Sequence, residues 1–219
     1  MKGLAKKLFL PLIVAGALAL PKIANAQEEE FKQKGWLGLG VGTYNGNSKE
    51  MKDVYGTITR FRISGCRDFS ENFRFESALS YASKSGQPYE YVYGDADLSS
   101  SSKVSMFGVE LLAKYAFRGS GADFFIGGGG TMIFFKEKLE MTLYYDGESE
   151  SANAEVSKNV FGPILVLGVD IPVNKNKTTV LYGELSGRSA KIPGAFGKDV
   201  DIGGYALEVG IRFNTFTEK

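Results

Sequence analysis

Ten charged residues fall in pairs two or four positions apart: Arg60 and Arg62, Arg74 and Glu76, Glu110 and Lys114, Glu184 and Arg188, Glu208 and Arg212. Even spacing puts both members of a pair on one face of a strand, because successive side chains alternate sides. Carboxylates gathered on such a face could act as general acid and base. Mixed with guanidinium groups, they could instead line a pore or neutralise one another. The chain contains no histidine. That removes a Ser-His-Asp arrangement and the side chain best suited to proton transfer near neutral pH. No two carboxylates are marked as a couple, so no catalytic, cofactor or metal residue is assigned and no enzyme is expected. The expectation is a network of six bases and four acids, for instance Glu208 or Glu184 with Arg62 or Arg212. A buried charge left without a partner would cost several kcal/mol.

The elements that carry these residues read as eight strands, separated by turn residues. They are 35–44, 55–65, 72–82, 104–117, 122–135, 159–171, 179–188 and 205–213. In the last, "YALEVGIRF", Tyr205, Leu207, Val209, Ile211 and Phe213 share one face, and Ala206, Glu208, Gly210 and Arg212 the other. The same division recurs: Phe61 and Ile63 against Arg60 and Arg62, Phe73 and Phe75 against Arg74 and Glu76, Leu181 and Leu185 against Glu184 and Arg188. Segment 122–135 is apolar on both faces and takes no orientation from its sequence. Pro163, which lacks a ladder donor, predicts a strand end or bulge within 159–171. The connections alternate long and short, as in a meander whose long loops emerge at one end.

Two architectures fit this pattern: a soluble lipocalin-like barrel with the oily face inward, or a transmembrane barrel with that face toward lipid. Length favours the second. Runs of roughly 10–14 residues exceed the usual strand of about 5–6 and match the ~9–11 needed to cross a bilayer at a tilt. The charge pattern agrees, since strand charges avoid the oily face and sit among Gly, Ala and Ser. Aromatic residues near strand ends (Trp36, Tyr44, Phe73, Tyr81, Phe117, Tyr205, Phe213) suggest girdles at the two interfaces. The reading is all-β: an eight-stranded antiparallel up-and-down transmembrane β-barrel with Glu and Arg inside. Eight strands leave a lumen that side chains fill.

The chain has 219 residues. Its start, "MKGLAKKLFLPLIVAGALALPKIANA", has a basic beginning, a short apolar run and a small-x-small end, as in a secretory signal peptide cleaved after Ala26. Residues 27–219 then form the barrel domain. The 26 Lys and Arg and 25 Asp and Glu include four lysines in the leader, so the exported part is slightly acidic and nucleic acid is not an expected partner. The single Cys66 excludes an internal disulfide and reads as a packing residue.

"GLGVG" (38–42) and "GGGG" (127–130) lie inside strands, not in the strand–loop–helix setting of a phosphate loop. The acidic stretches 93–102 and 144–155 lack calcium-loop spacing and read as solvated loops rich in turn formers. Tyr89, Tyr91, Tyr93, Tyr144 and Tyr145 give loops 84–103 and 136–158 contact area suited to recognising an extracellular ligand.

In its leader, in "GWLGLGVGTY", "FFIGGGGTM" and the closing "YALEVGIRF", the chain resembles the small outer-membrane β-barrel proteins of Gram-negative bacteria, the OmpA/OmpX/opacity-protein-like superfamily. The resemblance covers 27–219 and rests on architecture more than on a fixed motif. It implies periplasmic termini, external loops, contact with outer-membrane lipid and lipopolysaccharide, and insertion by the barrel assembly machinery. That machinery reads a terminal aromatic, here Phe213 followed by a tail or Phe216. With no catalytic set and a filled lumen, the role expected is structural. An adhesin or receptor, a narrow pore and a periplasmic lipocalin-like binder are the alternatives.

Overall fold

A computed structural model describes residues 34–217 apart from 94–95, 146–147 and 196–197. The leader and its cleavage site lie outside the described residues. The strands are β1 (Lys34–Gly46), β2 (Thr57–Asp68), β3 (Phe73–Ser85), β4 (Tyr89–Tyr93), β5 (Ala96–Phe117) and β6 (Asp123–Tyr145). There follow β7 (Glu148–Pro172), β8 (Thr179–Arg188), β9 (Lys191–Ala195), β10 (Lys198–Asp201) and β11 (Gly204–Thr217), and one short helix, α1 (Lys49–Val54), joins β1 to β2.

Eight of these close a ring in the order β1-β2-β3-β5-β6-β7-β8-β11, with β11 pairing back onto β1 and every ring contact antiparallel. The up-and-down barrel expected from the sequence is therefore present. Closure matters physically, because a sheet edge in hydrocarbon would leave donors and acceptors unsatisfied. No described helix is long and apolar enough to cross a membrane. The first and last described residues, Lys34 and Thr217, pair at the rim that carries the short turns. β11 continues through Phe216 to Thr217, so residues 214–217 are strand.

The alternation decides inside from outside as expected. In β2 every second residue is buried; Phe61 is 57% exposed on the outer face while Arg62 is 2% exposed. β6, unoriented in the sequence, turns Phe125, Thr131, Ile133 and Phe135 inward and Phe124, Ile126, Met132 and Phe134 outward. Two members of the aromatic girdle need correction. Trp36 and Tyr44 are 6% and 2% exposed and face the lumen. Their positions share the parity of Gly38, Gly40 and Gly42, so strand parity, not nearness to a strand end, decides their side. Phe73, Tyr81, Phe117, Tyr205 and Phe213 do face outward.

Three connections are more ordered than their composition suggests. The polar "NGNSKEMKDV" holds α1, whose Ser48 cap accepts a hydrogen bond from the Met51 amide at 3.1 Å and whose Met51 is buried. The long segments 84–103 and 136–158 are mostly strand, since β5, β6 and β7 run 22, 23 and 25 residues. Their pairing is unbroken from Phe117↔Phe124 to Ala96↔Tyr145 and from Asp123↔Asp170 to Tyr145↔Glu148. Polar residues concealed a period of two, Leu139, Met141 and Leu143 alternating with Glu140, Thr142 and Tyr144. At ~3.3 Å per residue, the ten residues from Lys136 to Tyr145 add roughly 30 Å of strand beyond the apolar band. Pro163 causes no bulge on the β6 side, where it pairs with Gly130 in continuous register. It marks instead the end of pairing with β8: the ladder starts at Ile164↔Arg188, and the Pro163 carbonyl accepts the Ser189 amide at 3.2 Å.

Candidate functional site: the charged lumen and its apolar cap

All ten charged residues singled out above point into the barrel and are buried, none more than 8% exposed. They form three tiers along the axis. At the rim holding the termini, Arg74 Nε donates to Asp68 Oδ1 at 2.7 Å and its Nη1 to Asp170 Oδ2 at 2.6 Å. Trp36 Nε1 donates to Asp68 Oδ2 at 3.2 Å. Arg118 closes this rim, 3.3 Å from Asp68 and 2.7 Å from Asp123.

The middle tier is built on Arg62, Lys114, Arg212, Glu76 and Glu184. Arg62 lies 2.5 Å from Glu76, 3.1 Å from Glu110, 3.3 Å from Glu184 and 3.5 Å from Glu208. Lys114 Nζ donates to Glu76 at 3.0 Å and to Glu184 at 2.5 Å. Arg212 pairs with Asp170, with Glu76 at 3.3 Å and with Glu184 at 3.7 Å. Its guanidinium also stacks 3.9 Å from the Tyr182 ring centre. In the upper tier Arg60 pairs with Glu110 and with Glu208 at 3.4 Å, and Arg188 with Glu110 at 3.2 Å. Tyr182 donates its hydroxyl to Glu208 at 2.7 Å. Strand β1 makes room for this by offering glycine inward: a Cβ on Gly40 would come within 2.6 Å of Glu208 Oε1.

Two acids that the sequence reading omitted complete the set. Asp68 and Asp170 are each 2% exposed, and with them the buried charges among the described residues are six basic and six acidic. Asp68 was hidden because "CRDFSE" reads as a turn, whereas β2 runs to Asp68. Asp170 lies four residues after Val166, on the same buried face of its strand. Balance has an energetic reason: buried charges tolerate low dielectric only when paired and hydrogen-bonded. Of the four pairings anticipated, Arg62–Glu184, Arg62–Glu208 and Arg212–Glu184 form within 4 Å. Arg212 instead turns toward Asp170 and Glu76.

Above the charges, the mouth opposite the termini is filled by apolar side chains. Tyr44, Met51, Tyr55, Ile58, Met106, Ile133, Phe135, Ile192 and Ile202 belong to one buried cluster, which brings α1 and the residues around the β9–β10 hairpin onto the barrel wall. Tyr55 donates its hydroxyl to Glu137 at 2.5 Å, and Tyr44 donates to the Ile202 carbonyl. Burial first, and then the Glu137 carboxylate, push the Tyr55 phenol above its ordinary range. Between network and cap lies a cavity of about 10 Å³, bordered by Tyr44, Arg60, Ser80 and Arg188. That is room for about one water molecule. Cys66 packs with Trp36 and Val180 near the other rim. Among the described residues no group of three or more His, Cys, Asp or Glu could hold a metal ion.

This architecture is shared with solved barrels. The outer membrane protein OprG of Pseudomonas aeruginosa superposes with a TM-score of 0.51 at 13% identity, over 84% of this chain and 96% of that one. The N-terminal β-barrel domain of Pseudomonas aeruginosa OprF gives 0.45 at 14% identity, over 84% and 98%. Ail, the attachment invasion locus protein of Yersinia pestis, gives 0.43 at 13% identity, over 84% and 99%. No curated protein matches the sequence. The family model for the outer membrane protein beta-barrel domain matches residues 10–214, nearly the whole chain, and the chain therefore belongs to that family.

Proposed function

We propose that this outer-membrane barrel is a closed, non-catalytic envelope protein, which acts by its presence in the membrane and by what it displays outside. The observation that carries the reading is the lumen. Among the described residues twelve buried charges that sum to zero lie beneath an apolar cap, and a cavity bordered by both has room for about one water molecule. A conducting pore needs a continuous wet path, and eight-stranded barrels are filled by their own side chains. The leader directs export, and the barrel assembly machinery inserts the chain with its termini toward the periplasm. Planar-bilayer recording tests the reading. Folded protein, verified by heat-dependent mobility in SDS, should give no conductance steps, and regular steps would replace it with a narrow pore.

A second reading, display of an adhesive surface, is favoured by the projecting β5–β6–β7 arm. Leu143, Tyr144 and Tyr145 on it are 42%, 52% and 61% exposed. Removal of 136–158 should then abolish binding to host cells or matrix while the truncated barrel still shows its heat-dependent mobility.

A further inference from the structure

One border of the projecting arm is an open strand edge. Strand β8 pairs with β7 only from Ile164 to Pro172, and from Glu148 to Lys158 β7 pairs with β6 alone among the described residues. That stretch extends for about 35 Å. The arm's other border, β4, is a strand of only 5 residues. An open edge is a template for a further strand, and proteins usually blunt one with proline or a bulge. Segment 148–158, "ESESANAEVSK", contains no proline, and its register with β6 is unbroken. All of it is exposed except the half-buried Val156. Ser149, Ser151, Ala152, Asn153, Ala154 and Ser157 are too small to hold a second backbone away.

The charges this edge does carry suit pairing with itself. Glu155, on the outer face, is held by Lys136 at 2.6 Å. Glu148, Glu150 and Lys158 share the parity of the buried Val160 and Ile164, so they stand together on the other face. None of these three has an ion pair among the described residues. Two β7 edges laid antiparallel about Asn153 put Glu148 of each copy directly opposite Lys158 of the other, with Glu150 on the diagonal. Ser149 then meets Ser157, Ala152 meets Ala154, and no like charges are opposed.

Strand direction fixes where the two copies sit. β7 runs from the tip of the arm at Glu148 to the barrel, so antiparallel edges carry their barrels at opposite ends of the joint sheet. Two copies in one membrane have β7 strands that run the same way. They could meet only as a parallel pair, which is less stable and brings Glu148, Glu150 and Glu155 level with their own counterparts.

We propose that the β7 edge binds a second copy of this chain anchored in an opposing membrane, joining two arms into one continuous sheet. Such a partner supplies the ligand of the adhesive reading and rests on that reading.

Vesicle docking tests this. The barrel is reconstituted into two populations of phosphatidylcholine vesicles, one carrying a donor dye and one an acceptor, and cleavage by added protease verifies that arms face outward. Wild-type vesicles should dock with one another, read as energy transfer, and not with protein-free vesicles. Lys158→Glu, and the double substitution Glu148→Lys, Glu150→Lys, should keep heat-dependent mobility. Each should dock with its own kind about tenfold less, because like charges then meet at both ends of the overlap. Mixed with each other, the two variants should dock as wild type does, since every reversed charge regains its opposite. Wild-type vesicles that do not dock, or that dock equally with protein-free ones, overturn the proposal. So do variants that dock undiminished, or a mixed pair that docks no better than either variant alone. Host-cell binding through 136–158 that persists in those cases leaves the adhesive reading standing and removes only the self-pairing.

Discussion

Lys114 on β5 reaches Glu184 on β8 at 2.5 Å, although β6 and β7 lie between those strands around the ring. The contact crosses the lumen and ties opposite walls together, which neighbouring-strand hydrogen bonds cannot do. Lys114 also holds Glu76 of β3 at 3.0 Å, so one ammonium links three strands through two carboxylates.

Charge removal at the centre should therefore be severe. Glu76 faces Arg62, Lys114 and Arg212 at 2.5, 3.0 and 3.3 Å. Glu76→Gln leaves three buried cations short of an anion and should cost about 3–5 kcal/mol, read as a lower urea midpoint in micelles. Adding Lys114→Met should recover part of that loss. If the two substitutions were simply additive, the network would not be energetically coupled.

The single Trp36 reports on the lower tier. Its indole donates to Asp68 inside the barrel, so native fluorescence should resist quenching by aqueous acrylamide and become accessible on heat unfolding. Asp68→Ala leaves that donor and Arg74 short of a partner and should lower stability by about 1–3 kcal/mol. Strong quenching of the native protein would instead place Trp36 outside.

Glycine substitutions separate tight from open wall. Gly42 lies opposite Glu208 in register, and a Cβ there would sit 2.7 Å from Glu208 Cα, which is backbone and cannot swing away. Gly42→Ala should cost about 1–3 kcal/mol. Gly187 has nothing within 4 Å of its Cβ position, so Gly187→Ala should leave the heat-unfolding temperature nearly unchanged. Equal effects at both sites would contradict the packing.

The Tyr55 contact makes the cap sensitive to alkali. The neutral phenol is favoured in the folded state by burial and by Glu137. Its contribution is then complete below the ordinary tyrosine value near 10 and is lost as pH rises above it, toward the higher folded value. Difference spectra of phenolate absorbance between wild type and Tyr55→Phe should show one tyrosine titrating above the ordinary tyrosine range. A Tyr55 that titrates at the ordinary tyrosine value would mean the cap is not packed as described.

Much of this architecture was legible in the alternation of residue types. "YALEVGIRF" and "TITRFRIS" declare two faces because a strand repeats every two residues, and charges confined to one face of long strands leave lipid for the other. By itself the sequence thus determined the barrel, which strand faces turn inward and, among the described residues, ten of the twelve buried charges. It could not orient β6, where Phe, Ile and Gly occupy both faces, because the inner apolar residues there serve a cap built from distant segments. Nor could it read 136–158 as strand, since that arm is held by register with β5 and β7 and its polar composition is that of a loop. Asp170 shows the same limit from the other side: its parity was readable, but its partners Arg74 and Arg212 come from β3 and β11. Which cation meets which anion depends on strand stagger around a closed ring, a property of the whole sheet that no single strand encodes.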